Sequence, residues 1–421
     1  MRVGIYTNRL PYPPSGGIPR FLHGLTEALT TLGANVEFLI PNLKNSNNGD
    51  IIHENSQSRI EAKLALETLE LSNSIPVIPQ QDVIIHFSQT EQNSYFQNKH
   101  IHPLYEEKAE NIKLVLSYLD YLIIAGSSLL LINHNQIINL VLEASIPTIL
   151  VILFPLSEIE FYGGSLVRDS IANKISTLAN ICRCVVVPSA YVEQEIRVYC
   201  QIKKPIVKIP HGINLHEFSD SEPKTYKSKN VITISRLGHF AKHKNIKSLL
   251  KAWPLVRGKI PEATLTLVGS IPTFSTEYEE YLFTQEGLML PGEVPDAEKI
   301  KLLHKSRVFA LPSSIEAFGF SFLEALAAGV PVIGLRSTAI PELVKDGENG
   351  LLLEPQGIKR LIFETEVVHW KPDISELANS IIQFLTDDLF YEKNRENCFN
   401  SVKSLDWSSS ARDSLALYSK L

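Results

Sequence analysis

The sequence predicts an α/β protein made of two parallel-sheet domains that face one another across a cleft. Its 421 residues exceed the size at which one hydrophobic core usually stops growing, so two domains are expected. In both halves, short apolar runs alternate with segments of helical period, which is typical of parallel sheets covered by helices. Polar and turn-forming residues replace this pattern over residues 211–230. We therefore expect domains over residues 1–212 and 213–402.

The first half begins with a strand, Val3–Thr7, and a Pro-rich loop. A helix over Ile18–Leu32 follows, because its apolar residues recur at helical spacing, Pro19 fits its first turn and Gly33 ends it. The alternation continues through strand Val36–Ile40, helix Ser58–Leu71, strands Val83–Phe87 and Tyr121–Ala125, the apolar segment Thr148–Phe154 and strand Cys184–Pro188.

The second half repeats the alternation. Its predicted strands are Val231–Ser235, Thr264–Val268, Leu288–Leu290, Val308–Leu311 and Pro331–Gly334, and its predicted helices are Asn245–Trp253, Asp296–Lys305 and Gly319–Ala328. Ligands of such sheets bind beyond the C-terminal ends of the strands. The cleft between the two halves is therefore the expected site.

Composition argues against several classes of protein. The formal charge of −6, from 40 basic and 46 acidic residues, disfavours a general nucleic-acid binder. The four cysteines have neither zinc-ribbon nor disulfide spacing, so we interpret them as reduced thiols in a cytoplasmic protein. The first apolar run is too short for a signal peptide, and no apolar stretch reaches the length of a membrane span. Peripheral contact with the inner face of a membrane needs only a surface patch and stays open.

Two carboxylates, Glu316 and Glu324, flank a Phe-Gly-Phe elbow. A helix that begins near Gly319 would place Glu316 in the entering loop and Glu324 more than one turn inside. A helix N-terminus attracts phosphate, and carboxylates accept hydrogen bonds from sugar hydroxyls, so this layout suits a nucleotide-sugar. Plain loop and surface positions are the alternative. That alternative is weakened because the helix is apolar on several faces, and a buried Glu needs a partner.

Three candidate cations follow an earlier predicted strand of the second half than these carboxylates do. Arg236 ends a predicted strand, and Lys242 and Lys244 lie in the loop before the next helix. A guanidinium and an ammonium at this edge of a sheet can neutralise a diphosphate without a metal. The alternative is a solvated, lysine-rich surface. The neighbouring carboxylate pair favours the binding site.

Other motifs are few. Gly16-Gly17 lies between a strand and a helix, where backbone N–H groups can approach a phosphate, although a plain turn is the alternative. The sequence contains no G-x-G-x-x-G, G-x-x-x-x-G-K-[ST] or G-x-S-x-G motif. It also lacks Asp-x-Asp, H-E-x-x-H and Cys/His clusters with ligand spacing, so we predict neither a catalytic metal nor a cofactor. His211, His239 and His243 receive no catalytic role.

Taken together, these segments resemble the GT-B fold glycosyltransferases, specifically the large retaining family numbered 4. The resemblance implies two Rossmann-like domains and a C-terminal helical segment, residues 403–421, that crosses back to the first domain. It covers most of the chain and is carried by IYTNRLPYPPSGGIPRFLHGL, VVVPSAYVEQEI, IVKIPHGINLHEF, SRLGHFAKHKN, the stretch from LMLPGEV to GVPVIG, and IPELVKDGENGLLLEP.

The resemblance also implies a role for each candidate residue. Arg236 and Lys244 would bind the donor diphosphate, and Lys244 is preferred to Lys242 because it directly precedes the helix. Glu316 would contact the donor sugar near the reaction centre, and Glu324 would accept hydrogen bonds from the ribose hydroxyls. The remaining contacts would come from the backbone amides of Phe318, Gly319 and Phe320, and from Gly16 and Gly17 across the cleft.

The implied activity is metal-independent transfer of a hexose from a nucleotide-diphosphate sugar to a hydroxyl of a saccharide, lipid-linked or small-molecule acceptor. The sequence departs from the family at two places. Phe154-Pro155 stands where many relatives carry a His, and Thr338-Ala339, with Arg336 close by, replaces the usual glycine pair. These departures motivate an alternative, a non-catalytic sugar-nucleotide-binding subunit that supports a partner enzyme. An epimerase or phosphorylase on the same fold is a third possibility. A phosphorylase would need a cofactor-binding lysine, and no motif supports one.

Overall fold

The computed structural model describes residues 1–7, 17–41, 100–104, 116–117, 119–126, 134–144, 146–218, 228–237, 239–270, 283–362 and 365–421. These residues form two compact units. The first unit contains Met1–Gly212 together with Trp407–Leu421, and the second unit is Ile213–Asp406. Each unit has its own parallel sheet, which confirms the predicted class of two Rossmann-like α/β domains.

The sheet of the first unit is built from short buried strands. In chain order they are β1 (Arg2–Tyr6), β2 (Asn35–Pro41), β3 (His100–Leu104), β4 (Tyr121–Gly126), β5 (Thr148–Ile152), β6 (Cys184–Val187) and β7 (Ile206–Lys208). In the described residues their spatial order is β3-β2-β1-β4-β5-β6-β7, and every pair is parallel. The predicted helix Ser58–Leu71 and strand Val83–Phe87 lie outside the described residues.

Helices of the first unit connect these strands. They include α1 (Gly17–Thr31), α2 (His134–Ala144), α3 (Leu156–Ile181) and α4 (Ala190–Tyr199). α1 begins one residue before the predicted Ile18, and it buries Phe21, Leu22, Leu25 and Leu29. α3 is interrupted at Gly164, whose φ of 76° is a left-handed value that favours glycine.

The second unit repeats the architecture. Its parallel strands are β8 (Asn230–Ile234), β9 (Thr264–Val268), β10 (Leu288–Gly292), β11 (Val308–Ala310), β12 (Val332–Leu335) and β13 (Gly350–Leu353). Their order in the described residues is β10-β9-β8-β11-β12-β13. The order therefore reverses between β8 and β11, which is where ligands bind in doubly wound sheets.

The helices in the described part of the second unit are α5 (Ile246–Lys259), α6 (Asp296–His304), α7 (Phe320–Ala327), α8 (Ile340–Leu343), α9 (Ile374–Thr386) and α10 (Asp388–Val402). The prediction that α5 ends at Trp253 is wrong, because the helix continues through Pro254. A proline removes the hydrogen bond to the carbonyl four residues earlier, here that of Leu250. Gln285 Nε2 donates to this carbonyl at 3.1 Å, which satisfies it and lets the helix continue.

A β-hairpin follows the sheet of the second unit. Its antiparallel strands are β14 (Gln356–Ile362) and β15 (Thr365–Lys371), with Gln356 paired to Lys371 and Ile362 to Thr365. The sequence analysis does not predict it, because the residues between its strands lack the Asn-Gly or Asp-Gly signal of a tight hairpin turn.

The last helix, α11 (Trp407–Tyr418), packs on α1 within the first unit. Trp407 lies against Gly24 so closely that a Cβ at Gly24 would be 2.0 Å from Trp407 Cε2. Ser410 Oγ donates to the carbonyl of Pro210 at 2.6 Å. A glycine in the middle of α1 is therefore required by the close approach of the Trp407 ring.

Candidate donor site in the second unit

The predicted cations and the first predicted carboxylate follow the two strands between which the sheet order reverses. Ser235 and Arg236 come directly after β8, and a 3-10 turn over His239–Lys244 leads into α5. The segment from Pro312 to Glu316 comes after β11. Because β8 and β11 are parallel neighbours, their carboxyl ends lie at the same edge of the sheet.

Lys244 and Glu316 form an ion pair at this edge. Lys244 Nζ donates to Glu316 Oε1 at 2.7 Å, and the two side chains are 14% and 10% exposed. A partly buried pair is screened less by salt than one on the surface. The structure thus brings together two residues that the sequence analysis singled out separately.

The turn that carries Lys244 is tied to the segment that carries Glu316. The backbone carbonyl of His243 accepts hydrogen bonds from Ser314 N at 2.7 Å and from Ser314 Oγ at 3.0 Å. The His243 ring is buried, and burial lowers its pKa well below the usual range, with smaller contributions from the positive charges of Lys244 and Arg236 and from His369. His243 is therefore neutral, and it is not a cation of this site. Arg236 itself is exposed.

The backbone of Glu316 is held by the segment that departs from the family pattern. Its N–H donates to Thr338 Oγ1 at 2.9 Å. Thr338 has a φ of 50°, a left-handed value that is rare for a β-branched residue. A glycine would take this backbone conformation without strain, but it would offer no hydroxyl to Glu316.

Glu324 lies in α7 and is buried with a partner that the sequence analysis missed. Lys299 Nζ, in α6, donates to Glu324 Oε1 at 2.8 Å and to Asp296 Oδ1 at 2.5 Å. The side chains of Lys299 and Glu324 are only 6% and 4% exposed. The expected buried carboxylate with a partner is thus present. The spacing of Asp296 and Lys299, three residues apart on a helix, indicates an ion pair between these two, but no local signal links Lys299 to Glu324.

The Phe-Gly-Phe elbow forms the start of α7. Gly319 precedes the helix with a φ of 98°, and the rings of Phe318 and Phe320 meet edge to face with centroids 5.6 Å apart. The ring of Phe322, one turn further along α7, packs against Gly334 of β12. A Cβ at Gly334 would lie 2.9 Å from this ring. This packing fixes the position of the helix that carries Glu324.

In the first unit, Gly17 is the first residue of α1, and Gly16 lies outside the described residues. The segment Phe154-Pro155 leads into α3, whose N-terminus is capped from another helix. Glu195 in α4 accepts hydrogen bonds from Leu156 N at 2.8 Å and Ser157 N at 3.0 Å. A carboxylate of the chain itself therefore meets the positive end of this helix.

A comparison with known protein families matches the same part of the chain. The family described as glycosyl transferases group 1 matches residues 217–365, which include both carboxylates and all of the candidate cations. We refer to residues 217–365, which match this family, as the group 1 domain. This result confirms the resemblance stated from the sequence.

Two curated bacterial enzymes are among the proteins to which the chain is similar. The chain is 27% identical over 219 residues to a phosphatidyl-myo-inositol mannosyltransferase of Mycobacterium leprae, which covers 50% of this chain and 53% of the relative. It is 29% identical over 214 residues to the N-acetyl-alpha-D-glucosaminyl L-malate synthase of Bacillus anthracis, with 49% and 48% covered. The chain thus spans about half the length of the curated relatives that it matches.

A likeness to solved structures extends beyond the group 1 domain. The crystal structure of HepE from Anabaena in complex with UDP and glucose has a TM-score of 0.67 and 16% sequence identity, with 100% of each chain covered. At this identity the likeness shows the fold alone, which is the GT-B fold.

The described ranges contain neither a candidate membrane span nor a candidate metal cluster. No helix there is both long enough and apolar enough to cross a bilayer. Those residues also contain no group of three or more His, Cys, Asp and Glu side chains that could hold a metal ion. All four cysteines are buried and free of disulfides. Burial raises the pKa of Cys182 to about 12 and that of Cys184 to about 11, so both thiols stay protonated.

Proposed function

We propose that the chain is a retaining, metal-independent glycosyltransferase that moves a sugar from a nucleotide-diphosphate sugar to an acceptor hydroxyl. The observation that carries the proposal is the Lys244–Glu316 pair at the reversal point of a group 1 domain. A cation that is already desolvated and fixed can stabilise charge on a leaving diphosphate at little reorganisation cost. The buried thiols favour a cytoplasmic location, where cysteines stay reduced.

The proposed roles follow from the chemistry of each side chain. Lys244 and Arg236 bind the diphosphate, which gives Lys244 a second anion besides Glu316. Glu316 contacts the donor sugar, and Glu324 accepts hydrogen bonds from the ribose hydroxyls, as carboxylates do. The amides of Phe318, Gly319 and Phe320 and those of Gly16 and Gly17 are proposed to complete the donor contacts.

Retention requires that the new bond form on the face from which the diphosphate leaves. In the proposed step, the bond between the anomeric carbon and the β-phosphate oxygen breaks, and the acceptor oxygen bonds to the same face of that carbon. The departing phosphate oxygen takes the acceptor proton, so no side-chain base is required. The positive charge of Lys244 stabilises the phosphate as negative charge grows on it.

A second candidate function is a non-catalytic sugar-nucleotide-binding subunit. The start of α3 favours it, because Phe154-Pro155 offers no titratable side chain there and Glu195 already caps the helix. Such a chain would bind a donor through the second unit without transferring its sugar. The two candidates differ in turnover and share nucleotide binding.

The experiment is a screen of UDP-, GDP- and ADP-sugars for release of nucleoside diphosphate, in the presence of chelator and with panels of saccharide and lipid acceptors. UDP-glucose is the first donor to test, since the structural neighbour HepE is solved with UDP and glucose. We expect turnover with retained anomeric configuration, and its loss in Lys244→Ala and Glu316→Ala while circular dichroism is unchanged. Nucleotide binding without turnover would favour the supporting subunit. Full activity of either variant would refute the assigned roles.

A further inference from the structure

The β14–β15 hairpin reaches the base of the turn that carries Lys244. Two consecutive residues of β15, His369 and Trp370, contact the side chain of Asn245, which directly follows Lys244. The partners are 124 and 125 residues apart in sequence. The hairpin therefore contacts the end of this turn through the buried amide of Asn245.

The amide of Asn245 has one possible orientation. Its Nδ2 donates to the carbonyl of Pro312 at 2.9 Å and to the carbonyl of Trp370 at 2.9 Å. Carbonyl oxygens only accept, so both contacts require the nitrogen of the amide. Its oxygen must then face His369 Nε2, which lies 3.0 Å away. An amide oxygen also only accepts, so Nε2 of His369 carries the proton of this hydrogen bond.

Asn245 joins three segments of the second unit, and we call this contact set the Asn245 junction. It consists of Asn245, Pro312, His369 and Trp370. Asn245 fixes the end of the turn next to Lys244, and Pro312 lies four residues before Glu316. Asn245 is 4% exposed, and it holds a left-handed φ of 54°. The junction thus holds the end of the turn beside Lys244 and contacts the start of the segment that leads to Glu316.

The hairpin presents one face to this junction. Val367 and His369, two residues apart on β15, are buried, whereas Val368 and Trp370 are 38% and 41% exposed. Alternate residues of a strand point to opposite faces, so His369 is held on the packed face by the register of the hairpin. A buried imidazole that makes a defined hydrogen bond is a rigid support for Asn245.

We propose that His369 is a positioning residue for Lys244, and that it acts through Asn245 to align the ammonium with the donor diphosphate. In this proposal, the hairpin determines the position of the Lys244 ammonium through His369 and Asn245. This inference rests on the proposed function for its kinetic consequence only, because the effect on the turn is independent of catalysis.

The test uses four variants of the full chain. His369→Ala removes the donor to Asn245. His369→Gln restores a donor, since the Gln Nε2 can take the place of the imidazole Nε2. Asn245→Gly removes all three side-chain hydrogen bonds and keeps a residue that tolerates positive φ. Val368→Ala, on the exposed face of the same strand, is the matched control.

The first measurement is hydrogen exchange of peptides that cover residues 239–246. We expect faster exchange in His369→Ala and Asn245→Gly, and rates close to the wild type in His369→Gln and Val368→Ala. The second is the donor KM, which should rise about tenfold in His369→Ala and Asn245→Gly, as expected when a hydrogen-bonded support is lost. A purely structural role would lower kcat through a smaller folded fraction and leave KM unchanged.

Unchanged exchange and unchanged KM in His369→Ala would overturn the proposal, and so would failure of His369→Gln to restore them. If His369→Ala does not fold, hydrogen exchange and the donor KM of Asn245→Gly and His369→Gln test the proposal instead. A wild type that turns over no donor would refute the proposed function, while the exchange data would still support or overturn the junction.

Discussion

Lys244 Nζ lies 2.7 Å from Glu316 Oε1, although 72 residues separate the two in sequence. Each residue is held independently: Lys244 through the neighbouring Asn245, and Glu316 through Thr338 Oγ1. The pair therefore depends on three loops that follow different strands of one sheet. Disturbing any of these loops should change the position of a charge in the donor site.

The first prediction concerns coupling within this pair. In a double-mutant cycle of Lys244→Met and Glu316→Gln, we expect a coupling of about 1 kcal/mol in the free energy of unfolding, because the pair is mostly shielded from solvent. Urea denaturation measures it. The control pair is Lys359 and Glu366, with side chains 72% and 55% exposed, where a coupling of about 0.3 kcal/mol is expected. Equal coupling in both pairs would contradict the assigned burial.

The second prediction concerns Thr338. Thr338→Val removes the oxygen that accepts from Glu316 N–H, so we expect kcat/KM for the donor to fall about tenfold. Thr338→Ser keeps that oxygen and should stay within about twofold of the wild type. Steady-state kinetics with purified variants of equal melting temperature distinguish them. Equal activity of the Val and Ser variants would mean that the hydroxyl does not hold Glu316.

The third prediction concerns Lys299 and Glu324. Lys299→Met leaves the buried Glu324 carboxylate without its cation, which should lower the free energy of unfolding by about 3 kcal/mol. The double variant Lys299→Met/Glu324→Leu replaces the pair with apolar groups and should recover most of the lost free energy of unfolding. It should not bind nucleotide, because it lacks the Glu324 carboxylate. Thermal unfolding and nucleotide titration provide the two readouts. If Lys299→Met were as stable as the wild type, the ion pair with Lys299 would not be what stabilises the buried carboxylate of Glu324.

The fourth prediction concerns His211 in the first unit. Burial lowers the pKa of His211 to about 3, whereas an unfolded histidine titrates near about 6.5. The neutral ring thus contributes stability that is complete above about pH 6.5 and is lost as the pH falls toward 3. When the pH is lowered from 7 to 5, the free energy of unfolding of the wild type should fall more than that of His211→Asn, by up to about 2 kcal/mol. Identical pH dependence of the two proteins in urea denaturation would show that folding does not lower the pKa of His211.

The sequence predicts the architecture because periodicity is a local signal. The strand Thr264–Val268 has the same bounds in prediction and structure. The predicted strand Tyr121–Ala125 ends one residue early, and Val231–Ser235 is displaced by one residue at both ends. α5 is longer than predicted because its proline is supported by Gln285, a residue far along the chain. The hairpin was missed because its turn has no sequence signal.

The donor site is predictable only in part, for the same reason. Arg236, Lys244, Glu316 and Glu324 belong to short motifs that can be read in sequence. Lys299, which pairs with Glu324, and Thr338, which accepts from Glu316 N–H, come from other segments, and so does His369, which contacts Asn245 beside Lys244. Only tertiary contacts bring these residues together. A departure such as Thr338 in place of glycine is visible in the sequence, but the hydrogen bond that gives it a purpose is not.

The most direct test of the account is a crystal structure of the chain soaked with UDP, GDP or ADP in the presence of chelator. We predict diphosphate density at Arg236 and Lys244, with the ribose hydroxyls within hydrogen-bond distance of Glu324. Nucleotide density away from these three side chains would contradict the account.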